Sequence, residues 1–189
     1  LGSIGDIGCF SCYPTKNLGA IGDAGLMTTN DTNLAKKIRM LREYGWNNRI
    51  SEYSGRNSRL DEIQAAVLRI KLKHLDSDNE KRRQIAKYYM NSFEDCQVDP
   101  PMIRPESESV FHLFVLQVER RNDLINYLLS RGIQAGIHYP FPVHQQPAYR
   151  DVISIASDMS VTESLTGRIL SLPMYPELSM QDAEKIVNT

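Results

Sequence analysis

The sequence predicts an α/β fold in two parts, and three observations carry that reading. Short apolar segments bounded by glycine and proline alternate with amphipathic helical stripes along the chain. Residues 110–137 run strand, helix, strand, the order of an α/β layer. A polar run at residues 76–83 separates two helical stripes, and the change of domain is placed there, with residues 1–76 in the first part and 77–189 in the second.

The first part is organised around Ser11-Cys12-Tyr13-Pro14-Thr15-Lys16-Asn17-Leu18-Gly19. Residues 7–13 read as a short, largely apolar strand, which Pro14 ends because it has no N–H to donate. Lys16 therefore lies on a loop held by rigid structure, where reactive groups are often found, although the plainer reading of a lysine beside glycines is a solvated loop residue. Gly19, Gly22 and Gly25 allow sharp turns and a close approach of backbone to a ligand. Residues 25–29 form a second short strand. Asn30 or Asp31 caps a helix with the apolar face Leu34, Ile38 and Leu41, ended by Gly45. Lys36, Lys37, Arg39 and Arg42 lie mostly off that stripe and read as a solvated basic face.

Residues 46–57 are polar and read as a loop that builds no core, in which Asn57 suits a turn. Leu60, Ile63, Val67 and Ile70, with Leu68, Leu72 and Leu75, make a strong helical stripe. Ile85, Tyr88, Tyr89 and Phe93 make another, as one long helix or as two broken near Asp76-Ser77-Asp78. Residues 99–109 are a loop, and residues 110–118 a nearly continuous apolar run, read as a buried strand. Asn122 or Asp123 caps a helix through Leu124, Ile125, Leu128 and Leu129, ended by Gly132. Ile133, Ala135 and Ile137 alternate with polar neighbours as a half-buried strand. The rigid loop His138-Tyr139-Pro140-Phe141-Pro142-Val143-His144 follows. Ser160 and Glu163 form a capping box for a helix to about residue 169, residues 170–172 a strand stopped by Pro173, and Ser179 with Asp182 starts a last helix.

Bulk properties narrow the function. Of 189 residues, 41% are hydrophobic and 24% charged, an ordinary globular balance. The net charge of −1 gives no reason to propose a nucleic-acid or membrane partner, and no apolar run approaches the roughly 20 residues a bilayer span needs. Three cysteines without a secretion signal point to reduced thiols and a cytoplasmic protein. Cys9 and Cys12 form a C-x-x-C, but strand positions three apart face opposite ways, so the thiols do not converge on a metal. The first residues already approach a strand, so the chain reads as a piece of a longer protein.

Ser11 five residues before Lys16, the run Lys16-Asn17-Leu18-Gly19 and the close Gly22-Asp23-Ala24-Gly25 resemble the lysine segment of the DegT/DnrJ/EryC1/StrS sugar aminotransferases, which use pyridoxal 5′-phosphate (PLP). Ala24 departs from the family's usual glycine. Gly55-Arg56-Asn57-Ser58-Arg59 is similar to the family's Gly-x-Asn-x-Arg segment, and the loop from His138 to its His-Tyr segment. The resemblance covers the whole chain and corresponds to the family's C-terminal half. It implies the C-terminal part of a PLP-dependent transferase of fold type I, aspartate aminotransferase-like. Residues 1–76 would be the remainder of the PLP-binding large domain and 77–189 a small C-terminal domain of α+β type.

The resemblance also implies roles. Lys16 would form the Schiff base with PLP and move protons, and Ser11 would bond the PLP phosphate. Both suit the chemistry, since a primary amine forms an exchangeable imine and a neutral hydroxyl donates to phosphate. Asn57 would reach the phosphate held by the partner subunit of a homodimer with shared active sites. His138 and Tyr139 would face the nucleotide-sugar, although the same loop could be packed by its aromatics with the histidines on the surface. The implied reaction moves an amino group from a donor such as glutamate to a nucleotide-linked keto-sugar, with most similarity to the 3-keto-sugar branch. Two other readings stand beside it. One is a related PLP-dependent sugar dehydratase, in which a histidine replaces the lysine. The other is a non-catalytic truncated module for dimerisation or nucleotide-sugar binding.

Overall fold

A computed structural model of the chain describes residues 2–189. It divides into two compact units, the first ending at Ser77 and the second spanning Asp78–Thr189.

The first unit carries an antiparallel pair, β1 (Gly8–Ser11) and β2 (Gly25–Thr28), with Gly8 opposite Thr28 and Ser11 opposite Gly25. β1 is shorter than residues 7–13, yet the Cys12 N–H still donates to the Ala24 carbonyl at 2.8 Å before Pro14 ends the ladder. Cys12 is buried with Ala20 and Leu68, whereas Cys9 is exposed, as strand positions three apart require. Burial pushes the Cys12 thiol up.

Helix α1 (Thr32–Leu41) is capped by Asp31, whose carboxylate accepts from the N–H groups of Asn33 and Leu34 at 2.7 and 3.1 Å. Gly45 closes it at φ 72°, donating to the Met40 carbonyl. Residues 46–57 are not a plain loop. They contain a hairpin of β3 (Trp46–Asn47) and β4 (Ile50–Ser51), whose turn residues Asn48 and Arg49 both have positive φ. An arginine at the second turn position hid the Asn-Gly signal that normally marks such a turn.

Helix α2 (Glu62–Lys71) passes through a 3₁₀ turn at Leu72–His74 into α3 (Leu75–Ser92), whose residues from Asp78 onward belong to the second unit. The helical run tightens at 72–74 and does not break at Asp76. The buried face of α2 also differs from the expected stripe. Leu68 is its buried residue, while Ile63 and Ile70 are 66% and 62% exposed.

The second unit pairs β5 (Phe114–Gln117) antiparallel with β6 (Ile169–Leu172), Phe114 opposite Leu172. Its core gathers Ile85, Ala86 and Tyr89 of α3, Leu128 of α4 (Arg121–Ser130), and Ala183 and Ile186 of α6 (Met180–Val187) around that pair. Phe114 meets Tyr89 edge to face with ring centroids 5.1 Å apart, and burying such a ring contributes about 1.5–3 kcal/mol. Arg82 is buried beside them. Its Nη1 donates to the carbonyls of Met174, Phe111 and His112 at 2.9, 3.3 and 3.5 Å.

Here the expected strand, helix, strand layer does not form. Residues 110–118 yield only β5, since Phe111 turns the backbone at φ 40°. Residues 133–137 give one isolated bridge, Gly136 opposite Ser171, and no strand. With β5 and β6 antiparallel, the unit is α+β. Helix α5 (Ser160–Thr166) stops short of residue 169, and Ser160 does not cap it. The Asp158 carboxylate takes both the N–H and the hydroxyl of Ser160, which holds the carboxyl below its usual range, and Glu163 turns to His144 at 2.9 Å. Helix α6 starts at Ser179 and Asp182 as expected, with Ser179 as N-cap, its Oγ accepting from the Asp182 N–H at 3.0 Å and donating to the Asp182 carboxylate at 2.6 Å. Among the described residues no helix is long and apolar enough to cross a membrane.

Candidate functional site

Lys16 is half-buried on a turn that leaves the end of β1, and its N–H donates to the Tyr13 carbonyl at 2.8 Å, closing that turn. The Ala20 N–H returns to the Cys12 carbonyl at 2.9 Å, so the lysine segment is tied back onto the strand it left. Gly19 makes this fold-back possible, because a Cβ there would run into the Pro14 carbonyl. Ser11, at the last position of β1, is exposed. Its Oγ accepts from the Tyr13 N–H at a long 3.3 Å, and its own proton stays available for a ligand.

Helix α2 clamps the same loop from the far side. Gln64 Oε1 accepts from the Ile21 N–H at 3.0 Å, and Lys71 Nζ donates to the Gly19 carbonyl at 2.7 Å. Gln64 and Lys71 lie two helical turns apart on the face that also buries Leu68. Sequence reasoning missed both, because it followed the apolar residues around α2 and not the polar pair flanking the one that packs. The i, i+4, i+7 spacing of Gln64, Leu68 and Lys71 was the available signal.

Asn57 lies on a segment strapped to the end of α1. It bridges Glu43, and its neighbours hydrogen-bond there through Arg56 N–H to the Leu41 carbonyl and Ser58 N–H to the Arg42 carbonyl. The side chain is exposed. Its Oδ1 accepts from Arg59 Nε at 3.4 Å, leaving the Nδ2 amide as a donor.

A cleft of ≈ 1060 Å³ opens in the first unit, lined among others by Ser11, Gly25, Arg39, Arg42, Ser58 and Arg59. It brings Ser11 to the segment that carries Asn57, but neither Lys16 nor Asn57 lines it. Arg39 and Arg42 are exposed, as expected of a solvated face, and that face also lines this cleft.

His138 and Tyr139 belong to the second unit. Their rings meet edge to face at 5.6 Å, and both residues are exposed. No group of three or more His, Cys, Asp or Glu among the described residues could hold a metal ion.

Comparison with known proteins adds to this geometry. A model of the DegT/DnrJ/EryC1/StrS aminotransferase family matches residues 1–189. The chain is 44% identical to the erythromycin biosynthesis sensory transduction protein EryC1 of Saccharopolyspora erythraea, covering 100% of this chain and 52% of that protein. It is 42% identical to the dTDP-3-amino-3,4,6-trideoxy-alpha-D-glucose transaminase of Streptomyces venezuelae, covering 100% and 50%. Among solved structures, S. venezuelae DesV in complex with a ketimine intermediate superposes with a TM-score of 0.93 at 41% identity, covering 100% of this chain and 51% of that one. The chain thus spans about half the length of the curated relatives it matches.

Proposed function

This chain belongs to the DegT/DnrJ/EryC1/StrS aminotransferase family, and from that membership we propose that the protein moves an amino group from an amino acid to a nucleotide-linked keto-sugar with PLP as cofactor. The relative named a dTDP-3-amino-sugar transaminase favours a sugar aminated at the third carbon. The observation that carries the reading is the turn at the end of β1, which holds a half-buried primary amine five residues from an exposed hydroxyl.

The donor set fits PLP. The cofactor offers an aldehyde and a phosphate monoester; Lys16 is the amine for the first, and Ser11 Oγ–H and Asn57 Nδ2–H are neutral donors for the second. When bound, PLP supplies the carbonyl that exchanges amines and the ring that takes up an electron pair. Lys16 Nζ would act as the base, taking a proton from the nitrogen-bearing carbon of the amino donor and, in the second half of the reaction, delivering one to the sugar carbon that receives the nitrogen. Ser11 and Asn57 fix the phosphate and so the reach of Lys16. The clamp of Gln64 and Lys71 keeps the loop from drifting, which preserves that alignment.

In this reading the first unit is the remainder of the PLP-binding large domain and the second the small domain, where His138 and Tyr139 meet the nucleotide-sugar. Asn57 serves the phosphate of the partner subunit, which makes the working unit a homodimer with shared sites. The free thiols Cys9 and Cys96 are exposed and suit the reducing cytoplasm. The test is to incubate the full-length protein with PLP, an amino donor and a panel of nucleotide-linked keto-sugars. Formation of an amino-sugar nucleotide with loss of donor amine is expected; no transfer to any member of the panel would overturn the proposal.

A further inference from the structure

His138 is exposed, yet its ring is fixed at one edge. Nδ1 lies 2.9 Å from Ser171 Oγ. Ser171 is 4% exposed and sits in β6, where its backbone is fully used: its N–H donates to the Gly136 carbonyl at 2.7 Å and its carbonyl accepts from the Gly136 N–H at 2.9 Å. Gly136 gives the ring its place, since an added Cβ would come within 2.8 Å of His138 Cε1. A bare glycine and a buried serine thus form a cradle for one imidazole edge.

The hydroxyl decides which way that hydrogen bond runs. Among the described residues Ser171 Oγ has no other partner than His138 Nδ1. If Nδ1–H donated to Oγ, the buried hydroxyl proton would be left without an acceptor, which is unfavourable away from water. If Oγ–H donates to Nδ1, both groups are satisfied, and in a neutral imidazole the proton then resides on Nε2. Nε2 has no hydrogen-bond partner in the chain among the described residues.

We propose that Ser171 is a positioning residue that fixes His138 as the Nε2–H tautomer, so that the exposed edge of the ring presents a hydrogen-bond donor to an oxygen of the nucleotide-linked sugar. This rests on the reading of His138 as a substrate contact. It also accounts for a serine within β6, whose other residues are Ile169, Leu170 and Leu172.

The test uses the full-length, PLP-loaded protein labelled with ¹⁵N in its histidine rings, with long-range proton–nitrogen correlation reporting the tautomer. The wild-type His138 ring is expected as Nε2–H. Ser171→Ala should give a mixed or reversed tautomer, and Ser171→Thr, which keeps the hydroxyl, should restore it. Gly136→Ala should disturb the ring with the hydroxyl still present. In kinetics, Ser171→Ala should raise KM for the nucleotide-sugar about 2–12-fold with little change in kcat, the equivalent of one neutral hydrogen bond. A wild-type ring protonated at Nδ1, or a tautomer unchanged in Ser171→Ala, overturns the proposal. The wild-type measurement needs no variant, so misfolding of a mutant does not remove the test. If His138→Ala leaves KM unchanged, the substrate-contact reading fails, while the tautomer result still decides the part played by Ser171.

Discussion

Replacing Lys71 by methionine tests whether α2 holds the loop that carries Lys16. In the native chain the Lys71 ammonium donates to the Gly19 carbonyl at 2.7 Å, three residues past Lys16. Two further bonds, Ile21 N–H to Gln64 and Ala20 N–H to the Cys12 carbonyl, secure the same stretch. The local apolar cluster is small, with Cys12, Ala20 and Leu68 as its buried members, so hydrogen bonds carry much of the anchoring. A hydrogen bond from a charged donor contributes about 1.5–3 kcal/mol, and the partly solvated setting of this one argues for the low end. A loss of about 1.5 kcal/mol in local opening makes amide exchange roughly 10-fold faster. Native-state hydrogen exchange on the full-length protein reads this directly. The amides of Ala20 and Ile21 should exchange about 10-fold faster in Lys71→Met, those of β5 should not change, and Lys71→Arg should recover part of the protection. PLP should bind the methionine variant more weakly by a similar factor. Unchanged exchange at both amides would refute the claim that α2 clamps the loop.

Four further outcomes follow from the same structure. Lys16→Ala should abolish transamination while changing stability by no more than about 0.5 kcal/mol, since a turn lysine adds little core burial; borohydride fixation of PLP should label Lys16 alone, and a label on Lys36 or Lys37 would sink the assignment. Asn57→Ala should weaken PLP retention without stopping dimerisation, and mixing it with Lys16→Ala should restore part of the activity, as one shared site then keeps both residues. Arg82→Leu should lower stability by about 2–4 kcal/mol in urea unfolding, because the Met174 and Phe111 carbonyls lose a buried charged donor; burial pulls the guanidinium below its ordinary value, with Glu177 and Asp78 acting the other way, yet arginine stays charged, so this loss should not vary with pH near neutrality. Cys12, 1% exposed and with its thiol pushed up by burial, should resist alkylation at neutral pH until the protein unfolds, whereas Cys96, which is exposed, should react readily in the folded protein.

Local chemistry was legible in the sequence wherever it depends on neighbours in the chain. Pro14 and the glycines after it marked the turn that carries Lys16, Asp31 and Ser179 marked their helix starts, and the opposed faces of Cys9 and Cys12 followed from strand geometry alone. The apolar run ending at Pro173 gave β6 within a residue. These features rest on bonds and sterics spanning a few residues, so composition and spacing encode them. What the sequence could not decide was which distant groups meet. Gln64 and Lys71 became clamps only because α2 lies against a loop some 50 residues earlier in the chain. The alternation at residues 133–137 looked like a strand, but just one residue pair finds a partner in β6, since an edge pairs only where another backbone is within reach. Ser171 read as one polar residue in an apolar strand. Its hydroxyl gains direction from His138, 33 residues away, because a buried O–H donates to whichever acceptor the fold places beside it.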